Sequence, residues 1–307
     1  MRGILNINDM LERCTICPRE CGVDRTRGEG GFCRAGGKLE VYSAHLHFGE
    51  EPPISGTGGS GTIFFNHCNL RCVYCQNYRF SQLEDGKEFK IDELTDLMLS
   101  LEKKKAHNIN LVTPTHYAIH IANAIIVARK KGLEIPVVYN SSGYEKLETL
   151  RLLNGLIDIY LVDMRYGDNH AATRYSSCPD YVEVNRLAVK EMYRQVGNLK
   201  LSNSEIAEKG LIIRHLILPN NISNTENIFK FISDFLGNDT YISLMSQYYP
   251  AHKASNYIEI SRGINKTEYD EAVSLVYKYG LRKGWVQEYV GGLVDSNFAG
   301  TNIEGDV

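Results

Sequence analysis

The chain has 307 residues, 43% of them hydrophobic and only 8 of them proline, which is enough to bury one large core with an appendage. Charge is nearly balanced, 34 Lys and Arg against 37 Asp and Glu for a net of −3, and no basic block gives an electrostatic footprint for nucleic acid or an anionic membrane. Eight cysteines are the unusual feature, and in a reducing compartment they point to metal binding before disulfides.

Met1 to Glu12 carries several polar residues and no apolar signal core, so a cytoplasmic location is expected. Next comes a Cys-rich segment, assigned to residues 1–52. Cys14-Thr-Ile-Cys17-Pro-Arg-Glu-Cys21 and Cys33, the last after a Gly-rich turn, supply four thiols at metal-ligand spacing. Spacing leaves their partner open between structural zinc, a rubredoxin-like iron, an auxiliary iron–sulfur cluster and a redox disulfide pair. The segment is poor in large apolar residues, so a metal is expected to supply much of its fold. His45 and His47, at alternate positions of an expected strand, read as surface or packing residues.

Gly56-Thr-Gly-Gly-Ser-Gly61 satisfies the dinucleotide pattern formally, but it precedes a strand and opens no helix, whereas a phosphate-binding turn must do the reverse. It reads as a flexible lead-in to the strand Thr62–Phe65. Directly after that strand lie Cys68, Cys72 and Cys75, at C-x3-C-x2-C spacing. Three thiolates and no fourth would hold a cuboidal 4Fe–4S cluster with one iron open to a substrate or cofactor. A structural metal knuckle is the competing reading, though structural zinc wants four protein ligands.

From residue 62 onward short apolar runs alternate with amphipathic helical stretches, the pattern of βα units on a parallel sheet. The strands predicted after Thr62–Phe65 are Ile109–Val112, Ile135–Tyr139, Asp158–Val162, Leu211–Leu218 and Tyr241–Met245. Helices are predicted at Asp92–Lys105, with Leu94, Leu97, Met98 and Leu101 facing a core, and at Ala118–Lys131, Tyr181–Val196, Thr225–Leu236 and Lys266–Tyr279. The apolar stretch Ala118 to Ala128 is too short to span a bilayer. Six strands are too few for a closed eight-fold barrel, so the unit, residues 53–288, is expected to be an open one, with a tail at 289–307.

In parallel barrels chemistry gathers at the C-terminal strand ends. Those positions hold His67 and the cysteines, then Thr113, Thr115 and His116, then Asn140, Ser141 and Ser142, then Asp163 and Arg165, then Pro219, Asn220 and Asn221, and finally Gln247 and Tyr248. Cys178 has no partner at ligand spacing and reads as a small loop residue, with a thiol hydrogen-atom donor as the alternative.

The cysteine loop, with Tyr74 just before its last cysteine, resembles the signature of the radical S-adenosylmethionine (radical SAM) superfamily. Over nearly the whole chain the resemblance is closest to the pyruvate formate-lyase activating enzyme-like subgroup. It is carried by Cys14 to Val23, Glu51 to Gly56, Gly61 to Phe65, Asn110 to Tyr117, Tyr139 to Tyr144, Ile213 to Pro219, Ser243 to Tyr248 and Trp285 to Glu288. The resemblance implies an α/β fold, a partial (βα)6 radical SAM barrel with a small N-terminal Cys-rich metal-binding segment. It implies a 4Fe–4S cluster on Cys68, Cys72 and Cys75, and S-adenosylmethionine (SAM) as cofactor. Tyr74 is then expected against the adenine, and Asn140 and Ser142 at the ribose or methionine. Asp163 and Arg165 resemble the Asp-x-Lys pair of activating enzymes, with the arginine gripping the SAM carboxylate. Arg214 or His215 is expected to line the cofactor pocket. Where those enzymes carry Gly-Gly-Glu this chain has Thr113-Pro-Thr115-His116, so a hydroxyl, a backbone carbonyl or His116 must accept the SAM ammonium. The expected reaction is reductive cleavage of SAM and abstraction of a hydrogen atom from a substrate. That substrate is a glycyl radical protein to be activated or a small molecule, and reduced flavodoxin or ferredoxin is the electron donor. A non-catalytic iron–sulfur electron carrier or sensor is the alternative from another class.

Overall fold

The computed structural model describes residues 5, 6, 10–83, 86–289, 291 and 300–302. Strand β1, Leu39–His47, comes first, and the short helix α1, Pro52–Ser55, turns the chain into β2, Ser60–Phe65. After the cysteine loop come α2, Tyr78–Gln82, strand β3, Lys87–Phe89, and α3, Ile91–Lys103. The repeating units that follow are β4, Ile109–Val112, with α4, Ala118–Lys130; β5, Val137–Ser141, with α5, Leu147–Leu153; and β6, Ile159–Asp163, with α6, Asn169–Ser176, and α7, Tyr181–Val196. The chain ends with β7, Lys200–Leu201; β8, Ala207–Leu216; α8, Thr225–Phe235; β9, Tyr241–Met245; α9, Lys266–Lys278; β10, Lys283–Gln287; and β11, Gly300–Asn302.

All six predicted strands are present and adjacent in the order β2-β4-β5-β6-β8-β9, every pair parallel. A seventh parallel strand, β10, extends them beyond β9. β1 and β11 cap the two sides antiparallel, β11 lying within the predicted tail, of which 290, 292–299 and 303–307 fall outside the described residues. The architecture is a partial parallel barrel. Alternation along each strand sorts its side chains. Ile63, Leu111, Tyr139, Ile213 and Leu244 face the helices in the main core, while Val138, Leu161, Ile212 and Trp285 face inward.

The interior is stoppered at its N-terminal end. Ile54 of α1 packs on Val138, Leu161, Ile212 and Trp285, and Leu199 and Ala207 beside the β7–β8 hairpin join that cluster. Asn108, just before β4, donates to the Ile54 carbonyl (2.7 Å). The glycine run that follows is therefore not the flexible lead-in expected. A Cβ at Gly58 would sit 2.4 Å from the Lys105 carbonyl oxygen, so glycine is required by close backbone approach. No helix among the described residues is long and apolar enough to cross a membrane.

Candidate active site

At the opposite, C-terminal end of the strands lies a cavity of about 330 Å³. It is lined by Cys68, Cys72, Tyr74 and Cys75, by Thr113, Asn140, Ser141, Ser142, Asp163, Arg165, Arg214 and Gln247, and by Glu50 and Glu51 from below. The loop that presents the cysteines follows β2 directly and is tied down by backbone bonds from Arg71 to Ser176 and from Val73 to Tyr175.

Each sulfur has a hydrogen-bond donor aimed at it. The Leu70 amide reaches Cys68 Sγ (3.4 Å), the Ser176 hydroxyl donates to Cys72 Sγ (3.0 Å), and the Ser81 hydroxyl lies 3.3 Å from Cys75 Sγ. With Ser176 donating to sulfur, its oxygen accepts from Tyr166 (2.7 Å), which in turn accepts from Tyr74 (2.6 Å), so a directed chain of hydroxyls ends on Cys72. Burial, aided by the neighbouring Cys72, pushes Cys68 up to about 12 and Cys75 to about 11. Bare thiols would stay protonated there, and cationic iron is what converts such groups to thiolates.

The cavity also holds two ion-pair systems. Arg165 pairs with Asp163 (2.5 Å) and approaches Cys72 Sγ (3.8 Å). Burial works against its charge, yet Asp163 and Cys72 outweigh it and hold the guanidinium ionised. On the floor Arg214 forks onto both oxygens of Glu51 (2.6 Å each) and also reaches Glu50, whose other oxygen accepts from Asn110 (2.9 Å). Burial raises the Glu51 carboxyl, but Arg214 more than offsets this and lowers it.

Of the residues expected around SAM, the structure brings Tyr74, Thr113, Asn140, Ser142, Asp163, Arg165 and Arg214 to this one cavity. It turns three away. His116 donates to the Asn66 carbonyl (2.6 Å) and sits in a fully buried place, where desolvation and then Arg25 press its pKa far down. Thr115 donates to Glu145 (2.6 Å). His215, next to Arg214 and so on the other face of β8, donates from Nδ1 to the Met164 carbonyl (2.7 Å) and accepts at Nε2 from Thr225 (2.9 Å), a neutral core imidazole. Thr113 sits at φ 56°, a strained conformation for a β-branched residue, and its hydroxyl is spent on the Phe65 carbonyl (3.0 Å). Cys178 is fully buried, its Sγ 3.9 Å from Asp180 Oδ1, and does not line the cavity. Glu50, Ser81 and Ser176 were not among the expected site residues, and Glu51 was noted only as the start of the segment Glu51 to Gly56; the signal that could have found Glu50 is the pair of carboxylates beside Pro52-Pro53.

The radical SAM superfamily profile matches residues 62–199, from β2 through β6 and α7. The chain is 34% identical over 283 residues to Uncharacterized protein MJ0674 of Methanocaldococcus jannaschii, covering 89% of this chain and 77% of the relative. The chain belongs to the radical SAM superfamily. This radical SAM protein is also 24% identical over 273 residues to Uncharacterized protein MJ0808 of the same organism, covering 81% of this chain and 74% of that one. Among solved structures it is similar to the FeFe-hydrogenase maturase HydG from Carboxydothermus hydrogenoformans, with a TM-score of 0.51 and 13% identity over 72% of this chain and 51% of that one. A second HydG crystal structure matches at 0.50 and 14%, over 71% and 49%. The chain thus spans about half the length of each HydG chain, and likeness at these identities is likeness of fold.

Superfamily membership implies a 4Fe–4S cluster and SAM. The cavity's residues fit both. Three sulfurs of one loop line it, each with a donor of the kind that tunes a cluster. Ser142 Oγ and Arg165 Nε are buried on its wall without a partner. Among the described residues no three Cys, His, Asp or Glu side chains converge on a single ion. A cuboidal cluster does not need them to, because each thiolate takes its own iron.

Proposed function

We propose that this radical SAM enzyme takes a hydrogen atom from a substrate held in the barrel cavity, with Cys68, Cys72 and Cys75 as the ligands of the cluster. The observation that supports it most is the meeting of those three cysteines with Asn140, Ser142, Asp163 and Arg165 in one cavity. When bound, the cluster and SAM together supply a 5′-deoxyadenosyl radical, with methionine as the other fragment. The chain's residues do the rest by positioning and exclusion. Arg165, pre-oriented by Asp163, offers a planar fork to a carboxylate. Asn140 and Ser142 offer hydrogen bonds to hydroxyls, and Tyr74, clamped by Tyr166 and packed at 5.8 Å against Tyr248, offers a fixed aromatic wall. The apolar stopper under the floor keeps water from reaching the cavity from below.

The test is anaerobic reconstitution with iron and sulfide, then dithionite and SAM, reading 5′-deoxyadenosine by chromatography. Wild type should form it, and Cys68→Ala, Cys72→Ala or Cys75→Ala should each abolish it. Retention in any one of these variants refutes the ligand assignment, and no product from loaded wild type favours the electron carrier. Within this reading the substrate is a glycyl radical protein, as in the activating enzyme-like subgroup, and reduced flavodoxin or ferredoxin is the donor. A co-purifying partner that develops a glycyl radical signal in electron paramagnetic resonance supports that finer proposal; turnover on small molecules alone opposes it.

A further inference from the structure

The proposed reaction leaves the four amino-terminal cysteines without a task. Cys14, Cys17 and Cys33 are buried, and Cys21 is exposed. All four gather at the top of the barrel: Cys17 lies within electrostatic reach of Cys33 and Cys14, and Cys33 within reach of Cys14 and Cys21. The turn before Cys33 is shaped for this, since a Cβ at Gly31 would fall 2.4 Å from Cys21 Sγ. The amide two residues on points back at the sulfur in Cys17, from Arg19, and in Cys33, from Ala35. The same arrangement occurs in the cysteine loop, at Cys68 from Leu70 and at Cys75 from Asn77.

Among these thiols sits Arg25, only 1% exposed. It donates to the carbonyls of Gly36 (2.9 Å) and His116 (2.7 Å), and its Nη1 lies 3.9 Å from Cys14 Sγ. Its Nη2 is buried with no partner, and none of the ion pairs found among the described residues includes it. An arginine is charged at every accessible pH, and a buried charge without a counter-charge is strongly unfavourable. Four neutral thiols provide none; four thiolates around a metal centre do.

We propose that Cys14, Cys17, Cys21 and Cys33 hold a second iron–sulfur cluster, whose negative charge the buried Arg25 balances. A cluster suits the site better than one zinc or iron ion. A single ion needs its sulfurs within about 2.3 Å of one point, and no three such side chains converge that way among the described residues. A cluster lets each sulfur take a separate iron.

Iron, acid-labile sulfide and zinc are to be measured on the anaerobically reconstituted full chain. Two cuboidal clusters give about eight irons and eight sulfides per chain, and one gives about four of each. The triple variant Cys68→Ala/Cys72→Ala/Cys75→Ala, which cannot form 5′-deoxyadenosine, should retain about half of the wild-type iron and sulfide. This separates the second centre from the first. In that variant Arg25→Met should move the reduction midpoint, followed by electron paramagnetic resonance, to lower potential, and Arg25→Lys should restore most of the shift. Wild type with iron for one cluster only, with or without a stoichiometric zinc, overturns the proposal, as does a midpoint indifferent to Arg25→Met.

Discussion

Arg214 shows how a single side chain can organise a cavity floor. One guanidinium faces Glu50 and Glu51, and both carboxylates come from a segment more than 160 positions away in sequence. Removing one partner of a buried ion pair leaves an uncompensated charge, at a cost of roughly 3–5 kcal/mol. Arg214→Met should therefore lower unfolding free energy by about that amount in denaturant titrations, while Arg214→Met combined with Glu50→Gln and Glu51→Gln should recover part of it. The titrating residues of the core give a second prediction. Burial holds His120 and His215 down to about 4, below the ordinary value near 6.5 of an unfolded chain. The unfolded state then binds more protons between those limits, so the stability these residues contribute is complete above about pH 6.5 and is lost as pH falls towards 4. Glu145 has the opposite sign: burial raises it to about 7, so its favourable contribution is complete below about pH 4.5 and is lost as pH rises through 7. Thermal unfolding midpoints should drop from pH 7 to pH 5 in wild type and drop less in His215→Gln. The midpoint of Glu145→Gln relative to wild type should be higher at pH 8 than at pH 5. The three-cysteine loop was legible at this scale because its spacing is local; Glu50 and the hydroxyls of Ser81 and Ser176 were not, because only the fold brings them to the cavity.

The parallel strands were legible at the scale of elements because strands buried on both faces read as apolar runs, as Ile109–Val112 and Tyr241–Met245 do, and these two match the observed limits. Tyr181–Val196 was equally clear from its helical period. The seventh strand was not, since Lys283, Gly284 and Gln287 break its apolar pattern and only its pairing with β9 creates it. Alternation also decides between two neighbours: Arg214 and His215 are adjacent, and a strand sends them to opposite faces, one into the cavity and the other against Phe229. The four-residue α1 is too short to carry any period, yet it supports the barrel interior. Ile54→Ala would leave a hole beneath the floor at a cost of about 2–5 kcal/mol. Denaturant unfolding should show that loss with an unchanged slope.

Across the whole molecule two cysteine-bearing segments meet at one rim. Arg19 donates to the Asn69 carbonyl (3.0 Å) and stacks on Phe32 (3.7 Å), while Arg71 donates to the Phe32 carbonyl (2.7 Å), so the amino-terminal turns brace the loop that carries Cys68, Cys72 and Cys75. Arg71→Ala should therefore loosen that loop and reduce cluster content as read by its visible absorbance, without changing the helical signal in circular dichroism. The resemblance conveyed the barrel and its loop; the bracing could not be read, because it depends on which side of the rim the first thirty-odd residues come to rest.

The plug formed by Ile54 has a consequence for traffic. With the lower end corked by side chains, guests approach from the rim, past the braced loop. Under the proposed reaction, a bulky polypeptide substrate would have to lower a narrow, extended tip down that throat, whereas a compact metabolite could enter whole. Either visitor leaves by the way it came, so release follows the departure of whatever lies above it.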